Sequence, residues 1–184
     1  MKRRIAGEGK YLRFVIRDGW EYVERVNSSG VVIIVAMTDD QKVLFVEQFR
    51  HPVESKVIAF PAGLANDKKE ARRESHSEAA RRELEEETGY RARSLRRVFT
   101  GPVSAGMCKD MVDIYHASGL LKVGAGGGVE DHENITVHEV PLQTVDAWLE
   151  RQRRKGLLVA PNIYAGLYFL KYGGRAFSRK KGRS

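Results

Sequence analysis

The sequence is poor in cysteine, in proline and in long apolar runs, and each shortage excludes a class of protein. Its 184 residues include a single cysteine, Cys108, so no disulfide forms within the chain. With one cysteine and five scattered histidines, no Cys/His set has the spacing of a zinc site. The longest apolar run, residues 31–37, is far too short to cross a bilayer. The basic start Met1-Lys2-Arg3-Arg4 leads into no apolar stretch, so no secretory signal is read there. A cytoplasmic location, with no membrane partner, is the expectation. The glycine-rich run 123–128 lacks the Gly-Lys-Ser/Thr ending of a phosphate loop and reads as a mobile loop. Neither an internal repeat nor a linker is found, so residues 1–184 are expected to form one domain.

At 42% hydrophobic and 30% charged, the composition is that of an ordinary folded chain. The net charge is +8, but Arg175, Arg179, Lys180, Lys181 and Arg183 place five of those charges in the last ten residues, leaving +3 elsewhere. That remainder suits an anionic small molecule as well as RNA. No RNP-like signature accompanies it, and a nucleic-acid partner is not expected.

Alternation and turn residues predict strands over 10–17 and 21–26, joined at Asp18-Gly19, then over 31–37, 43–48 and 56–60. Further strands are read over 94–100, 111–118 and 135–140, and amphipathic helices over 142–155 and 162–172. Mixed strands with helices on both faces indicate the α/β class, an α/β/α sandwich with extra antiparallel strands at the N-terminus.

The most informative stretch is residues 63–90, GLANDKKEARRESHSEAARRELEEETGY. It predicts a helix capped by Ser77, running through Ala79, Ala80 and Leu84 and stopping at Gly89. At about 3.6 residues per turn, Glu83, Glu86 and Glu87 share a face while Glu85 points elsewhere. Three carboxylates within one turn, beside the negative end of the helix dipole, repel one another and call for a cation. Hard oxygen donors at i, i+3 and i+4 suit Mg²⁺ or Mn²⁺. The competing reading is a solvated charged face, with Arg81 and Arg82 pairing Glu85 and Glu86 in the weaker i, i+4 orientation.

The residue identities go further than the spacing. They resemble the Nudix box, whose pattern is Gly, five residues, Glu, seven residues, then Arg-Glu-apolar-x-Glu-Glu-x-Gly-apolar. Arg82, Glu83, Leu84, Glu86, Glu87, Gly89 and Tyr90 stand at the fixed positions of its second half, and Glu74 stands eight residues before Arg82. The opening glycine departs from the pattern. Lys68 occupies its position, and Gly63 serves only if the loop within 66–75 is lengthened by five residues.

Val46-Glu47-Gln48-Phe49-Arg50, Phe60-Pro61-Ala62-Gly63-Leu64 and the order of elements are similar to one branch of Nudix hydrolases, over roughly residues 10–172. That branch acts on ADP-ribose and nucleoside diphosphate sugars. The resemblance implies Mg²⁺-dependent hydrolysis of a diphosphate bond, Mn²⁺ being the other candidate ion. It gives Glu83, Glu86, Glu87 and the backbone carbonyl of Ala62 as ligands, and Arg82 as the orienting group for a carboxylate. Arg50 is implied as a substrate-phosphate contact, with an ordinary surface arginine as the alternative. The base is implied on the loop before residues 135–140, Glu133 first and Glu130 second, unless both are plain loop charges. Trp20 either stacks on the nucleobase or packs in the core or a dimer. A homodimer through the N-terminal strands is implied as well. One departure bears on substrate: Ala105 stands where ADP-ribose hydrolases of the family usually carry proline, fifteen residues after the box. The expected substrates are therefore nucleoside diphosphate sugars as a class, with ADP-ribose and GDP-mannose in range. The alternatives are pyrophosphate removal from RNA 5′ ends and a non-catalytic nucleotide sensor, which would tend to lose box carboxylates.

Overall fold

The computed structural model describes residues 3–66, 74–128 and 134–176, the last four without their side chains. Asp18 and Gly19 sit at φ 52° and 83°, the pair of positive values that a two-residue hairpin requires. They join β2 (Leu12–Arg17) to β3 (Trp20–Arg25), and β1 (Arg3–Glu8) adds to the free side of β2. Strand β1 was not legible, because RRIAGE is exposed throughout and shows no alternation.

The body of the molecule follows from β4 (Gly30–Ala36), whose side chains serve two cores on opposite faces. Val32, Ile34 and Ala36 turn one way; Ile33 and Val35 turn the other. Around it lie β5 (Lys42–Arg50), β6 (Ser55–Ala59), β7 (Ala62–Ala65), β8 (Tyr90–Pro102), β9 (Met111–Lys122), β10 (Thr136–Pro141) and β11 (Leu158–Val159). One sheet has the order β7-β4-β9-β8 and the other β10-β5-β6-β11. The β4–β9 and β6–β11 pairs are parallel and the rest antiparallel, so the sheets are mixed.

Helix α1 (His76–Thr88) covers the Val32 face, burying Ala79, Ala80 and Leu84. Helices α2 (Val145–Arg154) and α3 (Asn162–Ala176) cover the other, through Val145, Leu149, Ile163 and Leu167. The result is the expected α/β/α arrangement. Leu84 is fully buried, and truncating it to alanine is worth about 2–5 kcal/mol of stability. Among the described residues no helix is long and apolar enough to cross a membrane.

Three local expectations change. The cap of α1 is Ser75, not Ser77, because Ser75 and Glu78 form a reciprocal capping box that Ser77, with Ala80 three residues on, cannot make. The predicted helix 142–155 opens with a 3₁₀ turn, Leu142–Thr144, before α2. The described part of the glycine-rich run is bonded to the end of α1: Gly127 N–H donates to the Glu87 carbonyl and Gly128 N–H to that of Glu86. It is an ordered partner of the helix.

Candidate active site

Packing of Ala80 and Leu84 against the sheet leaves Glu83, Glu86 and Glu87 on the side of α1 that meets β7. Strand β7 pairs with β4, with Val32 opposite Gly63 and Ile33 opposite Ala62, and this brings the 62–64 backbone beneath the helix. A Cβ on Gly63 would fall 2.0 Å from Cδ of Glu83, so the glycine makes the space that the carboxylate fills. Ala62 N–H donates to Glu87 Oε2 at 3.1 Å. Glu85 faces away and pairs with Arg91 at 2.8 Å on the exposed side.

Arg82 ties the carboxylates together. Its Nε and Nη2 donate to the two oxygens of Glu74 at 2.9 and 3.1 Å, a bidentate fork that lysine cannot reproduce. Nη1 donates to Glu83 Oε1 at 2.7 Å and to Glu86 Oε2 at 3.1 Å, while Nη2 also reaches the Leu64 carbonyl at 3.1 Å. Burial works against the charged guanidinium, but hydrogen bonds and charge from Glu74 and Glu83 outweigh it and hold its pKa above the ordinary arginine value. The repulsion expected among the box carboxylates is thus relieved in part from inside the chain. The i, i+4 pair Arg82–Glu86 forms; Arg81 instead donates to the Ala92 carbonyl at 2.7 Å.

Among the described residues, no three His, Cys, Asp or Glu side chains converge as a ready metal centre. The donor set nevertheless fits a hard divalent cation. Glu83 and Glu86 present carboxylate oxygens a turn apart and Glu87 is anchored beside them by Ala62; a cavity of about 580 Å³ next to them is lined by Arg82, Glu85, Glu86, Ala125 and Gly126. Arg82 Nη1 bridges the Glu83 and Glu86 carboxylates.

Residues 28–157 match the NUDIX domain. The chain belongs to that family. It is 31% identical over 130 residues to a methanol dehydrogenase activator of Bacillus methanolicus, covering 71% of this chain and 68% of that one. It is 34% identical over 120 residues to an ADP-ribose pyrophosphatase of Bacillus subtilis (strain 168), covering 65% of this chain and 62% of that one. The chain thus spans about two thirds of the length of these relatives. In fold it is similar to a crystal structure of an ADP compounds hydrolase, with TM-score 0.69 at 19% identity, covering 96% and 94% of the two chains.

The other sequence candidates fall in three places. Arg50, exposed, ends β5 and leads into the short turn His51–Val53. Trp20 is 63% exposed and donates from Nε1 to the Gly106 carbonyl at 3.2 Å. It lines a cavity of about 610 Å³ together with Ala105 and Arg17, apart from the one beside Arg82. Two positions singled out for substrate choice, Trp20 and Ala105, therefore meet across a sequence gap. Glu133, Glu130 and His132 lie outside the described residues.

A buried network escaped the sequence reading. Asp113, 4% exposed on β9, accepts from Thr100 Oγ1, from Arg97 Nη1 at 3.2 Å and pairs with His76 Nδ1 at 2.8 Å. Burial alone would raise the Asp113 pKa, yet these three partners bring it below the ordinary aspartate value. His76 is the first residue of α1, and its Nε2 lies 3.1 Å from Ser29 Oγ. The network fastens the start of the helix to β9 and to the residue before β4. The one sequence signal was an acidic residue within an apolar strand, Met111-Val112-Asp113-Ile114-Tyr115.

Proposed function

We propose that this NUDIX hydrolase cleaves the diphosphate bond of nucleoside diphosphate sugars, ADP-ribose and GDP-mannose in class, to a nucleoside monophosphate and a sugar phosphate. The observation that carries the reading is the seat of Glu83 against Gly63, with Arg82 tying Glu83 and Glu86 to Glu74. Glu83, Glu86 and Glu87 are all present and share one face of α1, and a sensor would tend to lose them. A divalent cation, Mg²⁺ in our reading and Mn²⁺ as its substitute, would neutralise phosphate charge and activate water. Glu83, Glu86 and Glu87, with the Ala62 carbonyl, are its proposed ligands. Arg82 fixes the direction of two of them.

Arg50, exposed at the end of β5, is the proposed contact to substrate phosphate. Glu133 is the proposed base and Glu130 the second choice. Trp20 is the proposed platform for the nucleobase. The three-stranded N-terminal sheet exposes Leu12 (46%) and Phe14 (38%) on one face, and this apolar surface supports a homodimer. The cytoplasm is the proposed location.

A hydrolysis screen over ADP-ribose, GDP-mannose, UDP-glucose, dinucleoside polyphosphates, nucleoside triphosphates and capped RNA tests the assignment. Turnover of the nucleotide sugars with Mg²⁺ and none in excess chelator is expected. Turnover confined to RNA 5′ ends would replace it. Glu133→Gln should keep Mn²⁺ binding and lose about 10²–10⁴ in kcat. Light scattering should give a dimer that Leu12→Glu converts to a monomer.

A further inference from the structure

The last turn of α1 is held from outside the helix. Gly127 N–H donates to the Glu87 carbonyl at 2.9 Å and Gly128 N–H to the Glu86 carbonyl at 3.1 Å. Val123 and Gly124 N–H both donate to the carbonyl of Gly89, at 2.8 and 3.1 Å. Such helix-end carbonyls are ordinarily left to water or to the residues that directly follow the helix. Here one short segment after β9 serves three of them. The carbonyl of Gly127 accepts in turn from Ile135 N–H at 3.2 Å, so the same residue joins the helix end to the approach to β10.

The contact is backbone against backbone, and glycine alone permits it. A Cβ on Gly126 would stand 2.4 Å from the carbonyl carbon of Thr88 and 2.7 Å from the Gly89 nitrogen. A Cβ on Gly89 would stand 2.2 Å from the Gly124 oxygen. Gly126, Gly127 and Gly128 have φ of 72°, 106° and 89°, which side chains disfavour. Two of the three carbonyls held belong to Glu86 and Glu87, whose side chains form the carboxylate face.

We propose that residues 123–128 are a clasp that fixes the backbone of Glu86 and Glu87, and hence the point from which their carboxylates reach a divalent cation. Gly126 and Gly127 are then positioning residues of the hydrolase. The inference rests on the hydrolase reading above. A clasp that merely covered the helix end would affect stability without affecting cation binding.

Mn²⁺ binding to the substrate-free protein, followed by electron paramagnetic resonance, separates the two. Gly126→Ala forces two backbones apart and should weaken Mn²⁺ binding by roughly 10–100-fold, the range seen when groups that orient metal ligands are lost. Gly127→Ala meets no atom closer than 3.9 Å but must hold φ near 106°, and should weaken binding less. Gly127→Asn, which tolerates positive φ better, should recover part of that loss. Leu149→Ala, in the core on the other side of the sheet, should lower Tm and leave the Mn²⁺ affinity of the folded protein alone. At saturating metal, the clasp variants should lower kcat more than they raise KM for substrate. Should Gly126→Ala not fold, the Gly127 series decides. Folded clasp variants with wild-type Mn²⁺ affinity overturn the clasp and leave the hydrolase reading standing. A wild-type protein that binds no Mn²⁺ overturns both.

Discussion

Gly63 and Glu83 occupy one another's space: the glycine lacks a side chain where the carboxylate lies, and a Cβ there would meet Cδ, Oε1 and Cγ of Glu83 within 2.5 Å. Relief requires the Glu83 side chain to move away from the Arg82 nitrogen that holds it at 2.7 Å. Gly63→Ala should therefore lower Tm as well as move the carboxylate. Misplacement by about 1 Å can cost about 10² in rate. A variant with unchanged kcat would show that Glu83 acts from another position.

The helix face makes a sharp comparison among adjacent glutamates. Glu86→Gln and Glu87→Gln should each lower kcat by about 10² or more, since a cation's charge stabilisation is worth several kcal/mol and about 1.4 kcal/mol is tenfold. Glu85→Gln removes only the exposed pair with Arg91 and should leave kcat at saturating Mg²⁺ unchanged. Equal losses at Glu85 and Glu86 would count against the carboxylate face as a unit.

Arg82→Lys keeps the charge and loses the fork. Four partners, Glu74, Glu83, Glu86 and Leu64, depend on three nitrogens of the guanidinium. A single ammonium cannot reach them all. Each lost bond to a charged group is worth about 1.5–3 kcal/mol, so lysine should lower both Tm and kcat. Glu74→Gln, which keeps the shape of one partner only, should give a smaller fall in each. A lysine variant with full activity would remove Arg82 from the site.

Stability should respond to acid through Asp113. Its folded pKa lies below the ordinary aspartate value of 3.8, because Thr100, His76 and Arg97 together outweigh the cost of burial. A depressed carboxylate pKa gives stability that is fully present above the unfolded value and lost as pH falls through the folded one. Urea midpoints should therefore be level near neutrality and fall as pH drops below the ordinary aspartate value of 3.8. Asp113→Asn should flatten that slope and lower the midpoint at neutral pH. An unchanged slope would assign the acid response to other carboxylates.

What the sequence determined by itself was local in origin. Period and composition placed the charged helix, put Glu83, Glu86 and Glu87 on one face with Glu85 off it, and stopped the helix at Gly89. Asp18-Gly19 specified its hairpin because positive φ is a property of those two residues alone. Turn signals and alternation gave most strands to within a few residues, and the box residues gave the family.

Contacts at long sequence separation were decided only in three dimensions. Gly63 reaches Glu83 because β7 pairs with β4, whatever the length of the loop that spoils the spacing of the pattern. Arg82 chose Glu74 as its bidentate partner because the start of α1 folds back beside it. The glycine run looked like free chain since no periodicity marks a backbone that serves another element's carbonyls. Nothing in the sequence links Asp113 to His76, and only the parallel pairing of β9 with β4 carries the aspartate to the first residue of the helix. The physical reason is common to all four. A side chain's periodicity is written along the chain, but its hydrogen-bond partner is chosen by which strands lie together.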